Sequence, residues 1–116
     1  AYPADELPIF SQKGPDFHYR WILTHMRLGE KHYDNGEVEI AEGLWAQAVA
    51  YGRHISIRQP NTRIQHLVGI GLQAMGRYEE AIDIIEESLL REDDPAHERE
   101  LRQALDKLYT LRKDAP

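Results

Sequence analysis

From Asp16 to Lys113 the apolar residues recur at helical spacing in five blocks, and the breaks between blocks are made of glycine, asparagine, aspartate and proline. In the first block Trp21, His25, Leu28 and His32 fall on one face of a helix that Asp16 caps just after Pro15 and that Asp34-Asn35-Gly36 ends. The second block predicts a helix from Glu37 to about Ile57, with Ala41, Leu44, Trp45, Ala48 and Tyr51 or Gly52 turned inward. Gln59-Pro60-Asn61 interrupts it, because proline disfavours helix in the residue before it and Asn61 can cap the helix that follows. Two further helices are expected over Thr62–Met75 and Tyr78–Arg91, the latter with Ala81, Ile82, Ile85 and Leu89 inside. Asp93-Asp94-Pro95 supplies a cap and an N-terminal proline for a fifth helix to about Lys113, on which Leu101, Ala104, Leu105, Leu108 and Leu111 form an apolar stripe. The stripe needs a neighbour, and the preceding helix pair is the nearest one.

Residues 1 to 17 have a different character. Pro3, Pro8, Gly14 and Pro15 resist regular structure, so this stretch reads as an extended arm whose Leu7, Ile9 and Phe10 could cover a helix face.

The chain repeats itself. Gly29 is followed by Gly36, Ala41, Trp45 and Ala48, and forty residues on Gly69 is followed at the same offsets by Gly76, Ala81, Ile85 and Ser88. Small residues at one face of each block let paired helices approach to the near end of the usual 8 to 10 Å range. A glycine within a helix costs about 1 kcal/mol relative to alanine, so Gly29 and Gly69 read as packing residues. This pattern resembles the tetratricopeptide repeat, most specifically in Gly76-Arg77-Tyr78-Glu79-Glu80-Ala81. The resemblance implies an all-α fold of about five helices: antiparallel pairs, residues 22 to 58 and 62 to 95, stacked as a short right-handed superhelix, with residues 95 to 113 as a capping helix. The whole helical domain would span residues 18 to 116. The family period is about 34 residues, and the six extra ones here, if they lengthen the second helix, carry it roughly 9 Å further.

The same resemblance implies where a ligand would sit. In this family the first helix of each pair lines a concave wall, and the matching positions are Leu23, Met26, Glu30 and Tyr33, then Arg63, His66, Ile70 and Gln73. Their mixture of apolar, aromatic and polar groups suits a peptide or partner segment. One branch of the family clamps a chaperone's carboxylate tail with lysines and asparagines; Met26 and Glu30 stand there in this chain, which argues against that specificity. The expected activity is therefore protein binding without catalysis, with no cofactor. Fainter likenesses run to the mitochondrial import receptor and fission adaptor, built from the same repeat. The alternatives are a substrate-peptide domain of a larger enzyme, as in collagen prolyl hydroxylases, and a structural element forming a homodimer.

Composition adds limits. The 116 residues are 41% hydrophobic and 29% charged, with a net charge of -6, as in an ordinary globular domain. Acidic residues outnumber basic ones 8 to 6 over residues 1 to 60 and 12 to 8 over the remainder, which does not favour nucleic acid. No apolar run approaches the roughly 18 residues needed to span a bilayer, so membrane insertion is not expected. With no cysteine, disulfides and thiolate ligation are excluded and the compartment stays open, a cytoplasmic one being favoured. A chain that opens on Ala1 is expected to be a processed protein or a piece of a longer one.

Three further patterns have a chemical and a plain reading. Gly69-Ile70-Gly71-Leu72-Gln73-Ala74 matches G-x-G-x-x-A, but a dinucleotide loop needs a strand before it, and here it falls mid-helix. His18, His25 and His32 lie seven apart, about 10 Å along the axis, too far to share a metal ion. His25 and His32 are expected to pack half-buried and make the core sensitive to acid. His54, His66 and His97 have no sequence neighbour that suggests catalysis, and the run Glu79, Glu80, Asp83, Glu86 and Glu87 reads as a solvated face.

Overall fold

A computed structural model describes residues 14 to 115, and these form five helices with no strand among the described residues: α1 (Pro15–Asp34), α2 (Val38–Arg58), α3 (Thr62–Ala74), α4 (Tyr78–Arg91) and α5 (Pro95–Asp114). Residues 1 to 13, with Leu7, Ile9 and Phe10 of the expected arm, lie outside the described residues.

The chain reverses between helices by the same device twice. Gly36 and Gly76 have φ of 81° and 75°, the left-handed conformation that glycine enters without a Cβ penalty. At the first turn the Gly36 N–H donates to Tyr33 O and the Glu37 N–H to His32 O, both at 2.9 Å. At the second, Gly76 donates to Gln73 O at 3.0 Å and Arg77 to Leu72 O at 2.9 Å. These are Schellman closures, which satisfy carbonyls that a helix end would otherwise orphan.

Consecutive helices are antiparallel, as their contacts show. Close to the first turn Trp45 Nε1–H donates to Met26 O at 3.2 Å, and at the far ends of α1 and α2 His18 Nδ1 and Tyr51 Oη are 2.7 Å apart. In the second pair Gly69 faces Ile85 and Ser88 Oγ donates to Thr62 O at 3.2 Å. α5 returns along α4, where Tyr109 Oη donates to Glu86 at 3.2 Å and Arg112 to Glu79 at 3.0 Å. α1 also packs on α3. The helices thus form two layers, α1, α3 and α5 in one and α2 and α4 in the other. The shortest dimension, 20 Å, is the depth of two helices.

Two apolar clusters fill the interior. Ile22, Met26, Trp45, Ala48, Tyr51, Ile55, Ile64 and Leu67 join α1, α2 and α3. Val49, Val68, Leu72, Ala81, Ile82, Ile85, Leu101 and Leu108 join α2 to α5. Glycines admit these contacts: a Cβ on Gly71 would stand 2.8 Å from Val49 Cγ2, and one on Gly69 2.6 Å from Ile85 Cδ1. The G-x-G-x-x-A segment accordingly lies wholly inside α3, with helix and not strand before it. The forty-residue spacing is absorbed by α2, whose 21 residues exceed the 14 of α4 and carry Ile57 out to 83% exposure.

Some expectations are corrected. α1 starts at Pro15 with Gly14 as its N-cap, and Asp16 lies in the first turn instead of capping. The buried edge of α1 is His18, Ile22, Met26 and Gly29. Trp21, His25 and His32 flank it half-buried, and Leu28 is 42% exposed. The reason is that α1 is covered on two sides, by α2 and by α3, so its stripe is centred between them. His25 stacks on Trp21 with ring centroids 3.8 Å apart and donates from Nδ1–H to Trp21 O at 2.9 Å. His32 Nδ1 lies 3.0 Å from Glu37 Oε1, and both rings are half-buried, as their places in the repeat predict. The fully buried imidazole is His18.

Candidate functional site

The eight expected wall positions divide by burial. Met26 is 8% exposed, its sulfur against Gly71 and its carbonyl taken by Trp45, so it belongs to the core and not to the wall. Leu23 is half-buried against the same cluster. Glu30, Tyr33, Arg63 and Ile70 are exposed, Tyr33 by 52% and Ile70 by 41%, and Gln73 is half-buried. The Tyr33 ring lies beside Trp45, centroids 5.7 Å apart. Arg63 is positioned by the start of α3, where Asn61 Oδ1 accepts the N–H groups of Arg63 and Ile64 at 3.0 Å each. Its side chain lines a cleft of about 260 Å³ with Pro15, Asp16, Tyr19 and Asn61. Tyr19 was not anticipated, although it lies one turn before Leu23.

His66 is not a free member of the wall. Its Nδ1 is 3.2 Å from Nε2 of His97, which is 6% exposed at the first turn of α5. His97 Nδ1 in turn is bonded to Glu92 Oε1. An ionised carboxylate only accepts, so His97 donates to Glu92 from Nδ1–H and turns its Nε2 to His66 Nδ1. Glu92 also accepts from Thr62 Oγ1 at 2.9 Å and from the N–H groups of Asp93 and Asp94 at 3.1 and 3.3 Å. Burial opposes ionisation of Glu92, but the bonds from His97, Thr62 and Asp94 outweigh it and hold the carboxyl at about 2. His66 lies below its ordinary value, through burial first and then the neighbouring His97, with Glu100 acting the other way. His66 and His97 are thus partners in space, although neither has a sequence neighbour that suggests catalysis. Periodicity could not supply this, since it depends on α3 and α5 lying side by side.

The opposite layer carries a second cleft, of about 360 Å³, under the overhang of α2 and lined by Arg53, Ser56, Ile57, Gln65, Glu80 and Glu87 among others. The acidic run of α4 is the solvated face expected of it, with Glu79, Asp83, Glu86 and Glu87 exposed, and several of its carboxylates also pair with arginines. Glu80 takes a two-pronged contact from Arg77 at 2.6 and 2.7 Å and another from Arg53 at 3.0 Å, which hold its carboxyl at about 2. Glu79 and Glu87 pair with Arg112 and Arg91.

No family model, no curated protein and no solved structure matches this chain.

Proposed function

We propose that this domain is a protein-interaction module of the tetratricopeptide kind, which takes a peptide or partner segment along the layer of α1 and α3 and performs no chemistry itself. The observation that carries the reading is the exposure of Tyr33 and Ile70, with Glu30 and Arg63, on two adjacent first helices of duplicated pairs. The family reading is supported by the equivalence of the two halves. Gly36 matches Gly76, and the caps Glu37 and Arg77 share φ of -91° and ψ of 66°. Side chains such as tyrosine and arginine concentrate binding energy where they stand on a rigid support. Tyr33 is backed by Trp45, and Arg63 by a capped helix start.

Panning a displayed library of random peptides against the chain tests the reading. Enrichment of a shared motif whose synthetic peptide competes for one site supports it. Failure to enrich any motif, or binding spread over unrelated sites, contradicts it.

A further inference from the structure

The histidine pair has a chemistry that peptide binding does not use. We propose that His66, His97 and Glu100 bind one divalent transition metal ion, with zinc the fitting ion, and that the ion clips α5 to α3. The three ligand atoms lie within 4.8 Å of one another. The two imidazole nitrogens are 3.2 Å apart, and ligands about 2.0 Å from a tetrahedral zinc are separated by roughly 3.3 Å. These nitrogens therefore stand at the spacing of two zinc ligands before any ion is added. Glu100 lies three residues after His97 on one face of α5, and as an exposed side chain it can swing its carboxylate into the third position.

The surroundings are those of a metal-binding histidine. Such a ligand ordinarily donates its other ring N–H to a carboxylate, which fixes its tautomer and raises its basicity. His97 does so to Glu92, which is held in place by Thr62 and by backbone N–H groups, leaving Nε2 available. On binding, the proton at His66 Nδ1 moves to Nε2 through solvent, so the ion replaces a shared proton with no net release. Two imidazoles and one carboxylate favour zinc over magnesium or calcium, which prefer all-oxygen sites, and leave a fourth position for water. The seven-residue histidine ladder of α1 offers nothing comparable.

The test is titration of the chelator-treated full chain with zinc chloride, by calorimetry and by thermal melting, alongside His66→Gln, Glu100→Gln, Glu92→Gln and the control His32→Gln. The proposal expects one ion per chain and a higher melting temperature with zinc. Affinity should fall at least tenfold in His66→Gln and Glu100→Gln, tenfold to a hundredfold in Glu92→Gln, and stay unchanged in the control. Cobalt in place of zinc should give the intense visible bands of a tetrahedral site. Glu100 is exposed, so its variant tests the ligand set without disturbing the fold. Zinc that leaves the melting temperature unmoved, or binds the His66 and Glu100 variants as tightly as the parent, would overturn the proposal.

Discussion

A Cβ on Gly29 would stand 2.6 Å from Cδ1 of Trp45, and the indole that blocks it is pinned by its hydrogen bond to Met26 O. In the second pair the atoms facing Gly69 are Cδ1 and Cγ1 of Ile85, at 2.6 and 2.9 Å, an aliphatic chain that no hydrogen bond pins. The two glycines hold equivalent places in the repeat but differ in how much their neighbour can yield.

Substitution by alanine should separate them. Gly29→Ala should destabilise the fold by about 1 to 3 kcal/mol through overpacking, and Gly69→Ala by less, because about 1 kcal/mol of improved helix propensity offsets a milder clash. Gly43, in α2 with nothing within 4 Å of its added Cβ, should gain up to about 1 kcal/mol as alanine. Chemical denaturation of the three variants measures this order.

The start of α3 offers a second comparison. Asn61 caps two N–H groups, whereas Asp16 caps none. Asn61→Ala should cost about 1 kcal/mol. Asp16→Ala should stay within about 0.5 kcal/mol of the parent, as an uncommitted surface change does.

Tyr51 should give an alkaline signature. Burial raises its hydroxyl from the usual 10.0 to about 12. A group whose folded value is raised stabilises the fold below its unfolded value, and that contribution is lost as pH rises towards the folded one. The window is therefore pH 10 to 12. Ultraviolet titration should show the Tyr51 phenol ionising late, beside a Tyr109 that burial and Glu86 also raise, and Tyr51→Phe should remove the step near pH 12 and flatten the stability loss above pH 10.

These comparisons also mark what was legible in advance. Gly29, Gly36, Ala41 and Trp45 could be placed because their spacing recurs at Gly69, Gly76, Ala81 and Ile85, and helix ends follow local chemistry at Asn61 and Asp94. The rotation of α1 was less accessible. Trp21 and His25 lie next to Ile22 and Met26 on the wheel, and only knowledge that α3 covers the second side of α1 tells which stripe is innermost. The repeat pattern alone therefore puts Met26 on the wall, whereas stacking puts it in the core. Glu92 stands only five residues before His97, but the contact from His97 on to His66 is beyond reach of sequence pattern, since it joins residues 31 positions apart across stacked helices. Where burial rests on local period the sequence suffices, and where it rests on stacking it does not.

The central claim is that the α1 and α3 layer binds a peptide, and calorimetric titration with the peptide selected from the library tests it most directly. Tyr33→Ala and Arg63→Ala should each raise Kd at least tenfold, about 1.4 kcal/mol, with the melting temperature unchanged. Glu79→Lys and Glu86→Lys, on the opposite layer, should leave Kd within about twofold, a few tenths of a kcal/mol. Loss of binding in the Glu79 and Glu86 variants, with Tyr33→Ala and Arg63→Ala binding as the parent does, would contradict the account and move the site to α4.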